Sequence, residues 1–333
     1  MGIISINEEV CLNYNYKKNG CRNCRDCCPQ KCWNESGNID ANRCNSCGLC
    51  QSACPVDAIG VEGISASSWV ESTRSKEREK HFSCSRYGVG PWSCLGFLTA
   101  RDMIAFALNC SEKESTDVVI HDIKCQQCNP PVAIHLEREI TVAGTFLSAF
   151  CKSKVLHGKN DYPAKGKETK LDRRAFFGSL LKAGTQTARN VIWPGDAVTP
   201  LPKNVWRQQV LQNIDWPQGE QSAFPVLSIK DESCIACGMC AKICPTNAIT
   251  SFTGETGLEL KHAPFACTGC GLCLEHCPEG AIAFERTGST IPYVLISKDF
   301  PRCNECGSLF QPAGKQLTCF ECLMKGCRSI FEP

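Results

Sequence analysis

Two stretches in the last third of the chain decide the fold: Cys234-Ile-Ala-Cys237-Gly-Met-Cys240-Ala-Lys-Ile-Cys244-Pro245 and Cys267-Thr-Gly-Cys270-Gly-Leu-Cys273-Leu-Glu-His-Cys277-Pro278. Each stretch spaces three cysteines three residues apart and places a fourth directly before a proline. The 333-residue chain has 29 cysteines in all. Most of them sit three residues apart, which is too close for a conventional disulfide framework. The spacing therefore indicates metal-bound thiolates in a reducing compartment.

This pattern resembles the bacterial-type ferredoxins that hold two [4Fe-4S] clusters. Three thiolates on one tight loop can bind different irons of one cube, while the fourth, turned by the proline, reaches the other cube. The resemblance implies two ligand sets, and two zinc sites are the alternative. Site 3 comprises Cys234, Cys237, Cys240 and Cys277, and site 4 comprises Cys244, Cys267, Cys270 and Cys273.

A second copy of the module lies near the N-terminus, with one irregularity. Its second half, Cys44 to Pro55, fits the pattern, but its first half reads Cys21-Arg-Asn-Cys24-Arg-Asp-Cys27-Cys28-Pro29. Alignment of the two Cys-Pro pairs puts the first ligand position on Lys18, which cannot bind iron in this way. Cys11 and Cys27 remain as candidates for the missing thiolate, and we favour Cys11. Site 1 is then Cys11, Cys21, Cys24 and Cys54, and site 2 is Cys28, Cys44, Cys47 and Cys50.

The middle of the chain carries a third kind of cysteine pattern, the middle site: Cys84, Cys94, Cys125 and Cys128. Its layout resembles the delta subunit of methyl-viologen-reducing hydrogenases and also thioredoxin-like [2Fe-2S] ferredoxins. Shared features are a second cysteine before a glycine, then a helix, a strand and a close cysteine pair. The resemblance implies one [2Fe-2S] cluster. The close pair alone would also suit another metal or a redox dithiol.

The C-terminal residues carry two further CxxC pairs, the tail site: Cys303, Cys306, Cys319 and Cys322. Two such pairs on facing loops form a tetrahedral sulfur site with the spacing of zinc ribbons. Zinc is favoured, and mononuclear iron would use the same ligands. Five cysteines remain and are expected to be small buried hydrophobic residues, with Cys32 standing where Ala58 stands in the other half-module: Cys27, Cys32, Cys110, Cys151 and Cys327.

These assignments predict an α+β fold. Two bacterial ferredoxin-like 2[4Fe-4S] modules, at 1–70 and 226–295, flank a small α/β unit at 82–151. Residues 152–225 are expected to be a linker with amphipathic helices, and 296–333 a zinc-ribbon-like tail. In the α/β unit we predict a helix from Thr99, acting as N-cap, to Leu108, a strand at 118–120 and a second helix at 133–150.

Composition narrows the functional class. The formal net charge of +2 gives no sign of a nucleic-acid-binding surface. No run of about 18 apolar residues marks a membrane span, and the N-terminal residues lack the basic and apolar regions of a signal peptide. Residues 172–181 contain twin arginines before Phe-Phe, which we interpret as an amphipathic docking helix and not an export signal. We therefore expect a cytoplasmic protein.

The metal sites favour a non-catalytic electron-transfer subunit with four [4Fe-4S] clusters, one [2Fe-2S] cluster and one zinc ion. Expected partners are a catalytic oxidoreductase subunit, such as a hydrogenase, formate or CO dehydrogenase, tungsten or molybdenum enzyme, or disulfide reductase. A soluble ferredoxin is a further candidate. The alternatives are a stand-alone iron–sulfur reductase acting at the middle site, and an assembly or sensing protein that uses the tail site.

Overall fold

The structure is a computed structural model that describes residues 4–16, 20–34, 39–62, 64, 78–88, 90–109, 116–158, 203–216, 222–254, 256–310 and 316–328. The chain divides into two compact units. The first comprises Met1–Ser5, Asn23–Ala53 and Ile59–Arg207, and the second comprises Ile6–Arg22, Cys54–Ala58 and Gln208–Pro333. The division therefore runs through the N-terminal cysteine-rich module.

Short elements dominate the described residues. The strands are β1 (Ile4–Ile6), β2 (Ile59–Val61), β3 (Glu79–Phe82), β4 (Asp117–Ile120), β5 (Val155–His157), β6 (Val226–Ile229), β7 (Ile249–Thr253), β8 (Gly257–His262), β9 (Ile282–Glu285) and β10 (Tyr293–Asp299). The helices are α1 (Leu12–Asn15), α2 (Asn23–Asp26), α3 (Leu49–Ala53), α4 (Ala100–Leu108), α5 (Cys125–Cys128), α6 (Pro130–Phe150), α7 (Lys203–Gln212), α8 (Met239–Lys242), α9 (Leu272–Glu275) and α10 (Phe320–Arg328).

A parallel sheet forms the centre of the first unit. Its strands lie in the order β3-β4-β5, and Val118 of β4 pairs with Lys80 on one side and Val155 on the other. Helices α4 and α6 pack against the sheet and against each other. Parallel strands need such helical crossovers, so this region is the α/β arrangement that the sequence predicts.

Helix α4 begins as its sequence dictates. Thr99 is the N-cap, its hydroxyl accepts from the backbone N–H of Asp102, and the Asp102 carboxylate accepts from the backbone N–H of Thr99 at 2.9 Å. The prediction of this helix, of the strand at 118–120 and of the helix that contains 133–150 is confirmed. Helix α6 begins three residues earlier than expected, at Pro130, because proline suits the first helical turn.

A buried ion pair ties α7 to the same α/β layer. Arg207 Nη1 donates to Asp102 Oδ1 at 2.8 Å, and the two side chains are only 7% and 0% exposed. The neighbouring Trp206 ring lies 4.9 Å from the ring of Phe106. Since Asp102 also closes the cap of α4, one buried carboxylate joins a helix start to a segment 105 residues away.

The second unit contains two antiparallel sheets. β6 pairs with β9, and β8 lies between β7 and β10. The apolar core between them is built from alternate strand positions and from helix residues, and includes Leu227, Ile249, Leu260, Ile282 and Ile296. Two of the proposed ligands, Cys240 and Cys273, belong to this core. Metal-binding loops and strands thus share one interior.

Among the described residues, no helix combines the length and apolar character that crossing a bilayer requires. The predicted docking helix at 172–181 lies outside the described residues. In the expected linker, the described helix is α7, on which Trp206 and Leu211 are buried.

Candidate metal centres

Site 3 lines a cavity in the second unit. The four cysteines Cys234, Cys237, Cys240 and Cys277 all border a space of about 350 Å³, its open mouth included. Helix α8 carries Cys240, and burial raises the pKa of that thiol to about 11, with further repulsion from the other three thiols of the set. Four thiols around one cavity suit an iron–sulfur cluster, whose ligands must lose their protons on binding.

Site 4 shows the crossed arrangement that the ferredoxin resemblance implies. Burial raises the pKa of Cys273 to about 12, and the thiols that next raise it are, in order, Cys267, Cys270 and Cys244. Cys244 therefore lies with the cysteines of the other stretch, while Cys277 lies with site 3. The Cys277 sulfur also accepts a hydrogen bond from Ala281 N at 3.3 Å. Such N–H donors stabilise a thiolate that binds metal.

Site 2 lies in the first unit around helix α3. Cys47 and Cys50 are buried, at 9% and 7% exposure. Burial raises the pKa of both thiols, to about 11 for Cys47, and Cys28 is among the thiols that raise each of them. Cys44 also raises the pKa of Cys47. The predicted ligands Cys28, Cys44 and Cys50 thus each lie near Cys47 or near one another, and Cys27 is the first thiol whose charge raises the pKa of Cys50.

Cys27 lies beside site 2. Its sulfur is 3.4 Å from the carbonyl oxygen of Leu49 and 3.6 Å from that of Cys24, so the thiol can donate to the backbone. Burial raises its pKa to about 12, and the thiols of Cys24, Cys28 and Cys47 raise it further. Cys27 therefore lies among the thiols of site 2 and next to Cys24.

Three predicted ligands of site 1 surround one small core in the second unit. Cys11, Cys21 and Cys54 pack against it. The Cys54 sulfur accepts from Ala58 N at 3.2 Å. Burial raises the pKa of Cys54, and Asp57 and Cys11 raise it further. Cys24, the fourth predicted ligand, belongs to the first unit, where it raises the pKa of Cys27 and of Cys50. It is not among the groups that most affect the pKa of Cys54.

Cys32 occupies the position that its alignment with Ala58 suggests. It is 2% exposed, and its backbone N–H points to Cys28 Sγ at 3.5 Å, as that of Ala58 points to Cys54. Burial raises its pKa to about 12, and the neighbouring thiols of Cys28 and Cys44 add to the effect. Cys32 is therefore a buried thiol that also touches site 2.

The middle site gathers at the carboxyl edge of the parallel sheet. Burial raises the pKa of Cys125 to about 12, and Cys94, Asp122, Cys84 and Cys128 raise it further, in that order. All four predicted cysteines are therefore neighbours. Four neighbouring thiols can hold a metal ion or a cluster, whereas a redox dithiol would use only the close pair Cys125 and Cys128.

Arg86 is a feature of the middle site that the cysteine spacing did not reveal. Its Nη1 donates to Cys128 Sγ at 3.1 Å. The cationic side chain lies only two residues after Cys84, but a lone surface arginine carries no pattern that would have marked it. A positively charged group that donates a hydrogen bond to a ligand sulfur stabilises the reduced form of a bound cluster, because that form is the more negative one.

The loops of the middle site and site 2 are in backbone contact. Ser93 Oγ donates to the carbonyl oxygen of Ser46 at 3.1 Å. A Cβ on Gly96 would lie 2.4 Å from the carbonyl oxygen of Cys47, so only glycine fits there. Cys94 is also the first thiol whose charge raises the pKa of Cys47.

The tail site forms a compact cluster. The sulfurs of Cys303, Cys306, Cys319 and Cys322 all lie within 4.8 Å of one another, and three of the four residues are buried. Cys306 and Cys319 have their sulfurs 3.7 Å apart. A tetrahedron with metal–sulfur bonds of about 2.3 Å has edges of about 3.8 Å, which this distance matches. Backbone N–H donors, Cys319 N first, lower the pKa of Cys303 to about 6.

Comparison with known families finds iron–sulfur domains in the N-terminal and in the second ferredoxin-like region. Residues 227–284 match the 4Fe-4S dicluster domain, and residues 38–60 match the 4Fe-4S binding domain. The chain is also similar to the pyruvate synthase subunit PorD of Methanothermobacter marburgensis, with 40% identity over 48 residues. That match covers 14% of this chain and 59% of the relative. Two [4Fe-4S] ferredoxin-type regions are thus present, and they support a role in iron–sulfur electron transfer.

Proposed function

We propose that the protein is an electron-transfer subunit that relays single electrons between a catalytic oxidoreductase subunit and a low-potential donor or acceptor. The observation that carries the proposal is the cavity of site 3, which the four cysteines Cys234, Cys237, Cys240 and Cys277 border together. The similarity to PorD, named as a subunit of pyruvate synthase, supports a place within an oxidoreductase complex.

In this proposal the chain supplies the cluster ligands, sets the distances between the clusters and shields the clusters from water. Sites 1 to 4 would hold [4Fe-4S] clusters, the middle site a [2Fe-2S] cluster and the tail site zinc. When bound, the clusters accept and release single electrons. Buried thiols such as Cys50 and Cys273 exclude water from the centres, and backbone N–H donors to sulfur tune them.

The contact between the loops of the middle site and site 2 supports exchange between these two centres within the first unit. Ser46 and Ser93 hold the loops together, and Gly96 allows their backbones to touch. Cys11 is supported as the missing ligand because it packs on the same small core as Cys21 and Cys54. Cys27 instead faces backbone carbonyls and lies next to Cys24.

Metal and acid-labile sulfide analysis of anaerobically purified protein tests this proposal. Four cubes and one [2Fe-2S] cluster require about 18 iron per chain, with about one zinc. About eight iron would refute the N-terminal pair of cubes. A purified monomer that turns over a substrate of its own would refute the role as a subunit, whereas isolation with a catalytic subunit supports it.

A further inference from the structure

One small apolar core in the second unit is bordered by ligands from both ferredoxin modules. Its buried members, all 6% exposed or less, are Leu12, Val56, Ala58 and Leu272. The cysteines packed against it are Cys11, Cys21 and Cys54 of site 1 and Cys270 of site 4. We call these four buried residues the junction core.

Each residue of the junction core is a near neighbour of a proposed ligand along the chain. Leu12 follows Cys11, and Val56 lies two residues after Cys54. Leu272, which is fully buried, lies between Cys270 and Cys273. The junction core therefore lies directly between the metal-binding loops.

A second contact joins the same segments. The ring of Tyr16, which also packs on the junction core, meets His276 edge to face at 5.7 Å. His276 belongs to the end of α9, next to the ligand loop of site 4. Two contacts of different chemistry thus connect the N-terminal ligand segments to the second module.

We propose that the two ferredoxin modules exchange electrons directly across the junction core, between site 1 and site 4. The inference rests on the proposed function, since both sites must hold clusters. In each transfer, the cluster of one site loses one electron and is oxidised, and the cluster of the other site gains that electron and is reduced. No proton or further reactant is needed. The route does not pass through the middle site. A dry, close-packed path suits this role because protein interiors contain few voids.

Electron paramagnetic resonance of reduced protein tests the adjacency. In the full chain, Cys47→Ser and Cys237→Ser together remove the cubes of sites 2 and 3. The cubes of sites 1 and 4 then remain, together with the cluster of the middle site, which is common to this variant and to its control. Two reduced cubes that adjoin interact magnetically, so the signal is expected to be split and to relax fast. Adding Cys54→Ser is the matched control, because loss of site 1 should collapse the splitting and leave the unsplit signal of site 4.

The outcomes separate the two proposals. If iron analysis finds both remaining cubes and both are reduced, but their signals do not interact, the junction is overturned while the proposed function stands. If those cubes are missing from the protein with all its cysteines, the proposed function itself fails.

A second measurement avoids cysteine variants altogether. In the otherwise unaltered chain, Leu272→Ala opens a cavity in the junction core. We expect electron redistribution after pulse reduction to slow several-fold at unchanged iron content. Val294→Ala, an exposed apolar residue of the same unit, is the control and should leave the rate unchanged. Equal rates in Leu272→Ala and the unaltered chain would overturn the proposal.

Discussion

Replacement of Arg86 by glutamine should lower the reduction potential of the middle site. Arg86 Nη1 lies 3.1 Å from Cys128 Sγ, and a metal–thiolate bond adds about 2.3 Å, which puts the charge about 5 Å from the nearest metal ion. At that distance one charge is worth about 0.8 kcal/mol in a water-like medium and about 3 kcal/mol at an effective dielectric constant of about 20.

Since Arg86 is exposed, the lower half of that range applies. For one electron, 1 kcal/mol corresponds to about 43 mV, so Arg86→Gln should shift the potential by about 40 to 80 mV to more negative values. Loss of a positive charge disfavours the reduced cluster, which is the more negative state. Arg86→Lys keeps the charge and should shift the potential less.

A redox titration followed by electron paramagnetic resonance measures this shift. Arg138→Gln is the matched control, because Arg138 is a solvent-exposed arginine of the same α/β layer that pairs with Glu139. The reasoning is wrong if Arg86→Gln and Arg138→Gln give the same potential while the middle site keeps its iron.

The remaining predictions concern ligand choice, the tail metal and folding. Cys11→Ser should lose about four iron per chain and Cys27→Ser none; metal analysis that finds the reverse would transfer the ligand role to Cys27. Cys319→Ser should release the tail metal without loss of iron–sulfur absorbance, and loss of iron instead of zinc would identify mononuclear iron at that site. Arg207→Met should destabilise the first unit by about 3 to 5 kcal/mol, because it removes the cation that pairs with the buried carboxylate of Asp102. Anaerobic denaturation can compare it with Lys261→Met, since Lys261 is an exposed lysine paired with Glu259 and a cost of about 0 to 1 kcal/mol is expected there; equal costs would contradict the prediction.

Local patterns in the sequence predicted local structure well. The helix start at Thr99 and Asp102 depends on residues three positions apart, and the strand at 118–120 on one apolar run. The cysteine sets of sites 3 and 4 were expected from the resemblance of both stretches to the bacterial-type ferredoxins, whose fourth cysteine binds the other cube.

Features formed between distant segments were not predictable in this way. Arg86 reaches Cys128 across 42 residues, and Arg207 reaches Asp102 across 105. The junction core brings Val56 and Leu272 together, and no pattern in the sequence around either residue indicates that the other is its neighbour. Such contacts depend on how the helices and strands pack against each other. A single sequence indicates which apolar residues will be buried, but not which residues they will contact.

The absence of a side chain at Gly96 has a consequence for cofactor assembly. Its backbone lies against the carbonyl oxygen of Cys47, so the positions of the middle-site loop and of the site 2 loop depend on each other. Loading one centre with metal therefore stabilises the conformation that the other requires, by ordinary binding linkage. Under iron limitation the two centres should be lost together, and their occupancies should rise and fall as a pair across preparations.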